Sequence, residues 1–341
     1  MERLHQVQRR VQVRAGGGGG DKHGQASRQG AGGAGGAHHL QVLPDRQGAR
    51  GGPLPLLPSP ALPAPQAGED LERGEGGADL KVGIVGGGRL GSFLLRGLLR
   101  AGFSQGELMV CEKDPGRAEA LSEQLGVRVV GRLDPLLEEA EVIFLAVKPG
   151  DLEGVLGEME GKVRGKLVIS CVAGATLRRL EGRLRGARVF RLMPNLACAV
   201  GEGVMAYTPA PGAGEEERER VRELLGRLGA PVEVPEERMN AITALSGSGP
   251  AYFSLVIEAL AEGAEELGVP REEALRLASQ TAKGTGRMLL ELDLKPEELV
   301  RMVASPGGTT EAALRELEEG KVFEAFKRAL KAACRRAGEL G

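Results

Sequence analysis

The chain has 341 residues, 54 of them glycine, a formal charge of −2 and an aromatic content of only 3%. That charge offers no basic field for nucleic acid, and "VIFLAV" at 142–147, among the longest apolar runs, falls far short of the roughly 20 residues a membrane helix needs. Cys111, Cys171, Cys198 and Cys334 lie far apart with no C-x-x-C, so the pattern indicates neither a zinc site nor a disulfide framework and suits a reducing cytoplasm.

Residues 1–79 hold "GGGGG" at 16–20, "AGGAGG" at 31–36 and the proline-broken "PLPLLPSPALPAP" at 53–65. Without aromatic residues this segment cannot bury enough surface to offset chain entropy, and it is expected to be a disordered low-complexity extension. It also lacks the continuous apolar stretch of a secretory signal, and an upstream start, with the natural protein beginning near Leu80, is one explanation. All the histidines, His5, His23, His38 and His39, fall inside it. The expected folded part, residues 80–341, must therefore do its chemistry without the commonest general acid and base.

From Leu80 onward, short β-rich runs alternate with amphipathic stretches: "LKVGIV", "ELMVCE", "EVIFLAV", "KLVISCV" and "ARVFRLM" are the clearest strands. This pattern predicts an α/β domain over 80–235 with a mostly parallel sheet. The first strand runs into G-x-G-x-x-G at Gly86, Gly88 and Gly91, with Arg89 and Leu90 inside the turn and a helix after it. A strand before and a helix after are the context in which that turn binds a dinucleotide, the pyrophosphate lying on the helix amino terminus. At the end of the second strand Glu112 suits a ribose 2′-hydroxyl, while Lys113 beside it suits a 2′-phosphate, so the cofactor is expected to be NADPH or NADH. Asp114 and Pro115 read as a helix cap and a first-turn proline. "FLAVKPG" brings Ala146, Val147, Lys148 and Pro149 to the expected switch point of the sheet; Lys148 can face a substrate carboxylate or solvent.

After about Pro235 strands give way to helices, predicted near 236–245, 250–267, 270–290, 295–303, 309–319 and 322–339. The helix from Tyr252 to Leu260 is apolar around most of its circumference, which predicts burial against a second copy of the chain, with a central helix of a monomeric bundle as the alternative. "ALSGSGPAYF" places Ser246, Ser248 and Gly249 before a first-turn proline. "SPGGTTEAALREL" places Ser305, Gly307, Gly308, Thr309 and Thr310 at another helix start, suited to a small anion; the plainer alternative is that Thr309 or Thr310 caps the helix. Lys283 is a possible general acid or a solvated lysine. No metal is expected.

Together "VGIVGGGRLG", "FLAVKP", "RLMPN", "LSGSGPAY" and "SPGGTTEAALRELE" resemble the pyrroline-5-carboxylate reductase family, in order, from about Lys81 to Leu340. The resemblance implies an NAD(P)-binding Rossmann domain followed by an all-α substrate-binding and dimerisation domain over 236–341. It further implies hydride transfer to the C=N carbon of 1-pyrroline-5-carboxylate, giving L-proline, by a homodimer, with a higher oligomer of dimers left open. By position, Ser305 and the amides of Gly307 to Thr310 match a carboxylate cradle, and Thr310 matches the threonine that bonds the ring nitrogen. Met193 and Asn195, flanking Pro194, match the segment beside the nicotinamide, and Lys148 with Pro149 the cofactor-facing turn. The chain departs from the family pattern at "LACAV" after Asn195, where Thr-Pro is usual, and at Asn240 and Glu262, where aspartate is common. Two other functions stay open on sequence: a β-hydroxyacid dehydrogenase using Lys283, and an NAD(P)-binding regulatory relative without turnover.

Overall fold

The computed structural model describes residues 80–339. The extension 1–79 with its histidines, and residues 340 and 341, lie outside the described residues. Among the described residues the strands are β1 (Val82–Val85), β2 (Leu108–Cys111), β3 (Arg128–Val130), β4 (Val142–Leu145), β5 (Leu167–Ser170), β6 (Arg188–Pro194), β7 (Gly203–Pro209) and β8 (Gly229–Glu233). They form one sheet in the order β3-β2-β1-β4-β5-β6-β7-β8. Every neighbouring pair is parallel except β6 and β7.

The central strands β1, β2, β4 and β5 are buried at every position, as continuous apolar runs in a parallel sheet require. Alternate residues feed two cores: Val82, Ile84, Val142 and Phe144 join one, while Val85, Ile143 and Leu145 join the other. The covering helices are α1 (Arg89–Arg100), α2 (Pro115–Leu125), α3 (Leu133–Glu139), α4 (Leu152–Met159), α5 (Leu177–Arg183) and α6 (Glu215–Gly226). Helix α1 buries Gly91, Leu94, Leu95 and Leu98, one stripe at helical spacing. Asp114 caps α2, accepting the Arg117 N–H at 2.9 Å, and Pro115 opens that helix.

Three strands were not apparent in the sequence. β3 is a half-exposed edge strand. β7 is framed by Gly203 and Pro209 and returns antiparallel after a 3-10 turn, Leu196–Val200. β8 is an exposed edge containing Pro231, a residue that only an edge strand tolerates.

Beyond β8 the chain is helical: α7 (Met239–Ile242), one π-helical turn (Thr243–Gly247), α8 (Gly249–Glu266), α9 (Arg271–Glu291), α10 (Pro296–Val303), α11 (Thr309–Glu319) and α12 (Val322–Glu339). These elements bury little of themselves. Their buried apolar residues are Met239 and the alanines Ala244, Ala261, Ala274 and Ala337, whereas Phe253, Leu260, Leu290, Met302 and Phe323 are exposed. So much exposed apolar surface marks a face built to meet another protein surface.

A buried ion pair joins the two halves. Arg191 of β6 donates from Nη1 to Glu236 Oε1 at 3.0 Å, and the same oxygen accepts the Leu177 N–H at the start of α5 at 2.8 Å. The Arg191 side chain is 5% exposed and that of Glu236 32%, and Arg191 Nε has no hydrogen-bond partner among the described residues. Replacing Glu236 with Ala strands that guanidinium in the interior; allowing for the partial exposure of Glu236, denaturant unfolding is expected to show a loss of about 2–3 kcal/mol.

Candidate functional site

The turn between β1 and α1 is shaped by backbone contacts. Gly86 has a φ of +101°, in the left-handed region, and its N–H bonds to the Cys111 carbonyl at 2.9 Å. A Cβ on Gly86 would meet the Ala146 carbonyl oxygen at 2.7 Å, and one on Gly91 would meet the Gly86 carbonyl oxygen at 1.9 Å. A Cβ on Gly88 would meet nothing within 4 Å. Two glycines of the motif thus satisfy the fold, while Gly88 leaves a free approach to the backbone. Gly88 is also the N-cap of α1, with no side-chain cap and no acid in the first turn. The amides of Arg89, Leu90 and Gly91 lack intrahelical acceptors there, which leaves the positive end of the helix available to a phosphate.

That turn borders a cleft of ≈ 610 Å³ at the carboxyl ends of β1, β2 and β4. The sheet order reverses between β1 and β4, the place where doubly wound sheets bind ligands. Gly86, Gly88, Glu112, Lys113, Ala146, Val147 and Lys148 all line the cleft. Arg89 is exposed and Leu90 half-buried beside it, and Pro149 opens a short 3-10 turn after β4. A backbone cradle, an uncapped helix start and a cleft of this size fit a dinucleotide.

At one end of the cleft Glu112 is held tightly. Its Oε2 accepts the Gly87 N–H at 2.9 Å, and its Oε1 accepts the Asp114 N–H at 2.8 Å and Arg117 Nη2 at 3.2 Å. Lys113 is exposed and pairs with Glu158 at 3.2 Å. Burial, then the charge of Glu158, pushes the neighbouring Cys111 thiol up to about 11, so this cysteine stays protonated and unreactive. Arg117 was not singled out in the sequence; the spacing Asp114-x-x-Arg117 in the first turn of α2 is the signal that places it over Glu112.

At the end of β6, Met193 is buried and Asn195 is tied to protein at both amide atoms. Its Nδ2 donates to the Ser246 carbonyl at 3.2 Å and its Oδ1 accepts the Val204 N–H at 3.2 Å. The structure therefore brings the Ser246–Gly249 stretch against the end of the sheet. Within it the Ser246 hydroxyl donates to the Ile242 carbonyl at 3.0 Å and the Ser248 hydroxyl to the Thr243 carbonyl at 3.4 Å. Gly249 is buried at the start of α8.

The Ser305–Thr310 stretch differs from two expectations. Gly308, in extended conformation, is the N-cap of α11 and makes no side-chain cap bond, so neither Thr309 nor Thr310 caps the helix; both lie in its first turn. The amides are also not all free. Gly308 N–H bonds to the Ser305 carbonyl at 3.0 Å, and Gly307 N–H bonds to Glu311 Oε2 at 2.5 Å, leaving the amides of Thr309 and Thr310 as the open donors. Ser305, Gly307 and Thr309 are exposed. The cleft walls come from residues 85–155, so one chain does not place this stretch, or Ser246–Gly249, in the wall. Lys283 is exposed on α9. Among the described residues no cluster of metal-ligating side chains occurs, and no helix is long and apolar enough to cross a membrane.

Residues 236–340 match the family description "Pyrroline-5-carboxylate reductase dimerisation", and residues 81–174 match "NADP oxidoreductase coenzyme F420-dependent". The chain is 39% identical over 270 residues to a pyrroline-5-carboxylate reductase of Methanosarcina acetivorans, covering 76% of this chain and 98% of the relative. It is 38% identical over 285 residues to a pyrroline-5-carboxylate reductase of Mycobacterium tuberculosis, covering 76% and 96%. Among solved structures, a Plasmodium falciparum pyrroline carboxylate reductase with NADP bound superposes with a TM-score of 0.70 at 28% identity, covering 77% of this chain and 98% of that one. A pyrroline-5-carboxylate reductase from Coxiella burnetii gives 0.69 at 33% identity, covering 77% and 99%.

The contrast among the glycines separates folding from binding. Gly88→Ala is expected to leave the melting temperature within about 2 °C of the unaltered chain while weakening NAD(P)H binding by about tenfold or more, read by calorimetric titration. Gly91→Ala, which collides with the Gly86 carbonyl, is expected to lower the melting temperature itself.

Proposed function

The chain belongs to the pyrroline-5-carboxylate reductase family, and we propose on that premise that it reduces the C=N bond of 1-pyrroline-5-carboxylate with NAD(P)H to give L-proline, the last step of proline biosynthesis. The observation that carries this reading is the open Gly88 backbone at the mouth of α1, on a chain whose helical half matches the dimerisation region of that family. Residues 80–235 form the proposed nucleotide-binding domain and 236–341 the proposed substrate-binding and dimerisation domain. The bound cofactor supplies a hydride. The protein's part is to bind, to orient and to keep water away.

The cofactor's pyrophosphate would lie on the amides of Arg89 to Gly91, with Ala146 to Pro149 and Met193 lining the path toward the reacting end. Asn195 acts by holding the Ser246 carbonyl and so fixing the end of β6 against the π-helical turn. The substrate carboxylate would be held by the Thr309 and Thr310 amides and the Ser305 hydroxyl, with the Gly307 amide joining them once the Glu311 carboxylate turns away. The Thr310 hydroxyl is proposed to bond the ring nitrogen. An imine needs a hydride at carbon and a proton at an already basic nitrogen, so placement does most of the work and no histidine is required. Lys283, exposed on α9, has no observation in favour of an acid role.

A second copy of the chain supports the site. The exposed Phe253, Leu260 and Phe323 need cover, and the Ser305–Thr310 stretch of a partner could approach the cleft that one chain's own stretch does not line. A homodimer in the cytoplasm is the proposed state; the described cysteines are free, as a reducing compartment would keep them.

Mixing the purified chain with NADPH or NADH and 1-pyrroline-5-carboxylate is expected to consume the reduced nicotinamide and yield proline; binding without consumption would favour a regulatory relative. Thr310→Ala is expected to lower kcat by about 100-fold while changing the Kd for NAD(P)H less than about twofold, and an equal loss in both would remove Thr310 from its assigned role. Light-scattering mass is expected to give two chains or a multiple of two, and Phe253→Asp to shift it toward one.

A further inference from the structure

Sequence left Glu112 and Lys113 pointing to different cofactors, and their surroundings decide between them. Glu112 follows the last residue of β2, where the adenosine ribose of a dinucleotide lies. Its side chain is 7% exposed, and bonds from Gly87 N–H, Asp114 N–H and Arg117 prevent it from swinging aside. A carboxylate oxygen accepts about two hydrogen bonds. Oε1 is filled by Asp114 and Arg117, while Oε2 has one bond, from Gly87, and keeps room for one more donor. A ribose 2′-hydroxyl can donate there. An ionised 2′-phosphate has no proton to give and would bring a second negative charge against a fixed, buried one.

Three basic side chains around this end of the sheet are already engaged by acids, whereas Lys148, which also lines the cleft, stands beyond β4, two strands from Glu112. Lys113 pairs with Glu158 at 3.2 Å, Arg117 with Glu112 at 3.2 Å, and Arg132, just beyond β3, with Asp134 at 3.1 Å. Arg89 is exposed and does not line the cleft. Moving Arg117 onto a phosphate would take from Glu112 its ion-pair partner and leave a buried carboxylate on two backbone amides.

Granting the cofactor site proposed above, we propose that Glu112, locked by Gly87, Asp114 and Arg117, selects NADH over NADPH by accepting the ribose 2′-hydroxyl and repelling a 2′-phosphate.

The test is calorimetric titration of the full chain with each reduced cofactor separately, without substrate. NADH is expected to bind at least about tenfold more tightly than NADPH; equal affinity, or tighter NADPH, overturns the preference. Binding of neither nucleotide would instead overturn the cofactor site itself. Glu112→Ala is expected to close most of the gap by tightening NADPH, and a gap left unchanged in folded Glu112→Ala assigns the selection to some other group and overturns the proposal. Because Glu112 also anchors the glycine turn, Glu158→Gln is the second variant: it leaves Glu112 in place and frees Lys113. NADPH is then expected to bind about threefold more tightly with NADH unchanged, while a parallel change in both would contradict the charge balance described.

Discussion

Gly91 packs directly against the Gly86 carbonyl, and the rest of the proposed nucleotide site depends on that contact. A Cβ on Gly91 would stand 1.9 Å from that oxygen, so only glycine lets α1 start immediately beyond β1. That close start aims the uncapped amides of α1 into the cleft between β1 and β4. Glu112 reinforces the same turn from β2 through the Gly87 N–H. One carboxylate thus holds the glycine turn and borders the proposed place of the ribose, so the shape of the turn and the charge of the cleft are set together.

The two halves solve the burial problem differently. The sheet is open, with β3 and β8 at its edges, and it buries two apolar cores, one on each face. The helical half spends its large apolar residues on outward faces and keeps mostly alanines inside. Such a half draws its remaining stability from association, which fits its match to a dimerisation family. It is anchored to the sheet by polar contacts instead: Arg191 to Glu236, and Asn195 to Ser246. Glu236 ties the chain just before the π-helical turn and Ser246 ties the turn itself to the end of β6, so the position of Ser246 to Gly249 is fixed from the sheet as well as by the bonds to Ile242 and Thr243.

Much of the architecture was legible in the residues. The buried strands β1, β2, β4 and β5 carry continuous apolar runs, β6 one broken by Arg191, and the later helices show glycine and proline punctuation and periodic apolar positions. Of the strands that escaped notice, β3 and β8 are partly exposed edges carrying arginine or proline, and β7 is a buried strand bounded by Gly203 and Pro209. Their β conformation comes from pairing with a neighbour, and no local pattern announces it. The site was legible as a set of glycines and hydroxyls, but not in its wiring. The glycine spacing does not reveal that Gly86 and Gly91 serve the fold while Gly88 faces open space. For the Ser305–Thr310 stretch a threonine cap was the plainer alternative to an anion site, and the cap is Gly308.

By itself the sequence determined the fold class, the turn expected to hold a dinucleotide and the resemblance to a reductase of a cyclic imino acid, because hydrophobic period and glycine spacing are local properties of a chain. Only the tertiary structure decided which groups are already engaged: Glu112 with Gly87, Asp114 and Arg117, Lys113 with Glu158, Asn195 with Ser246 and Val204, Gly307 with Glu311. Three of these seven pairs lie tens of residues apart, and even the short-range ones depend on how the chain turns. A hydrogen bond or a charge pair forms where folding brings donor and acceptor within about 3 Å, a condition that no local spacing in the sequence records.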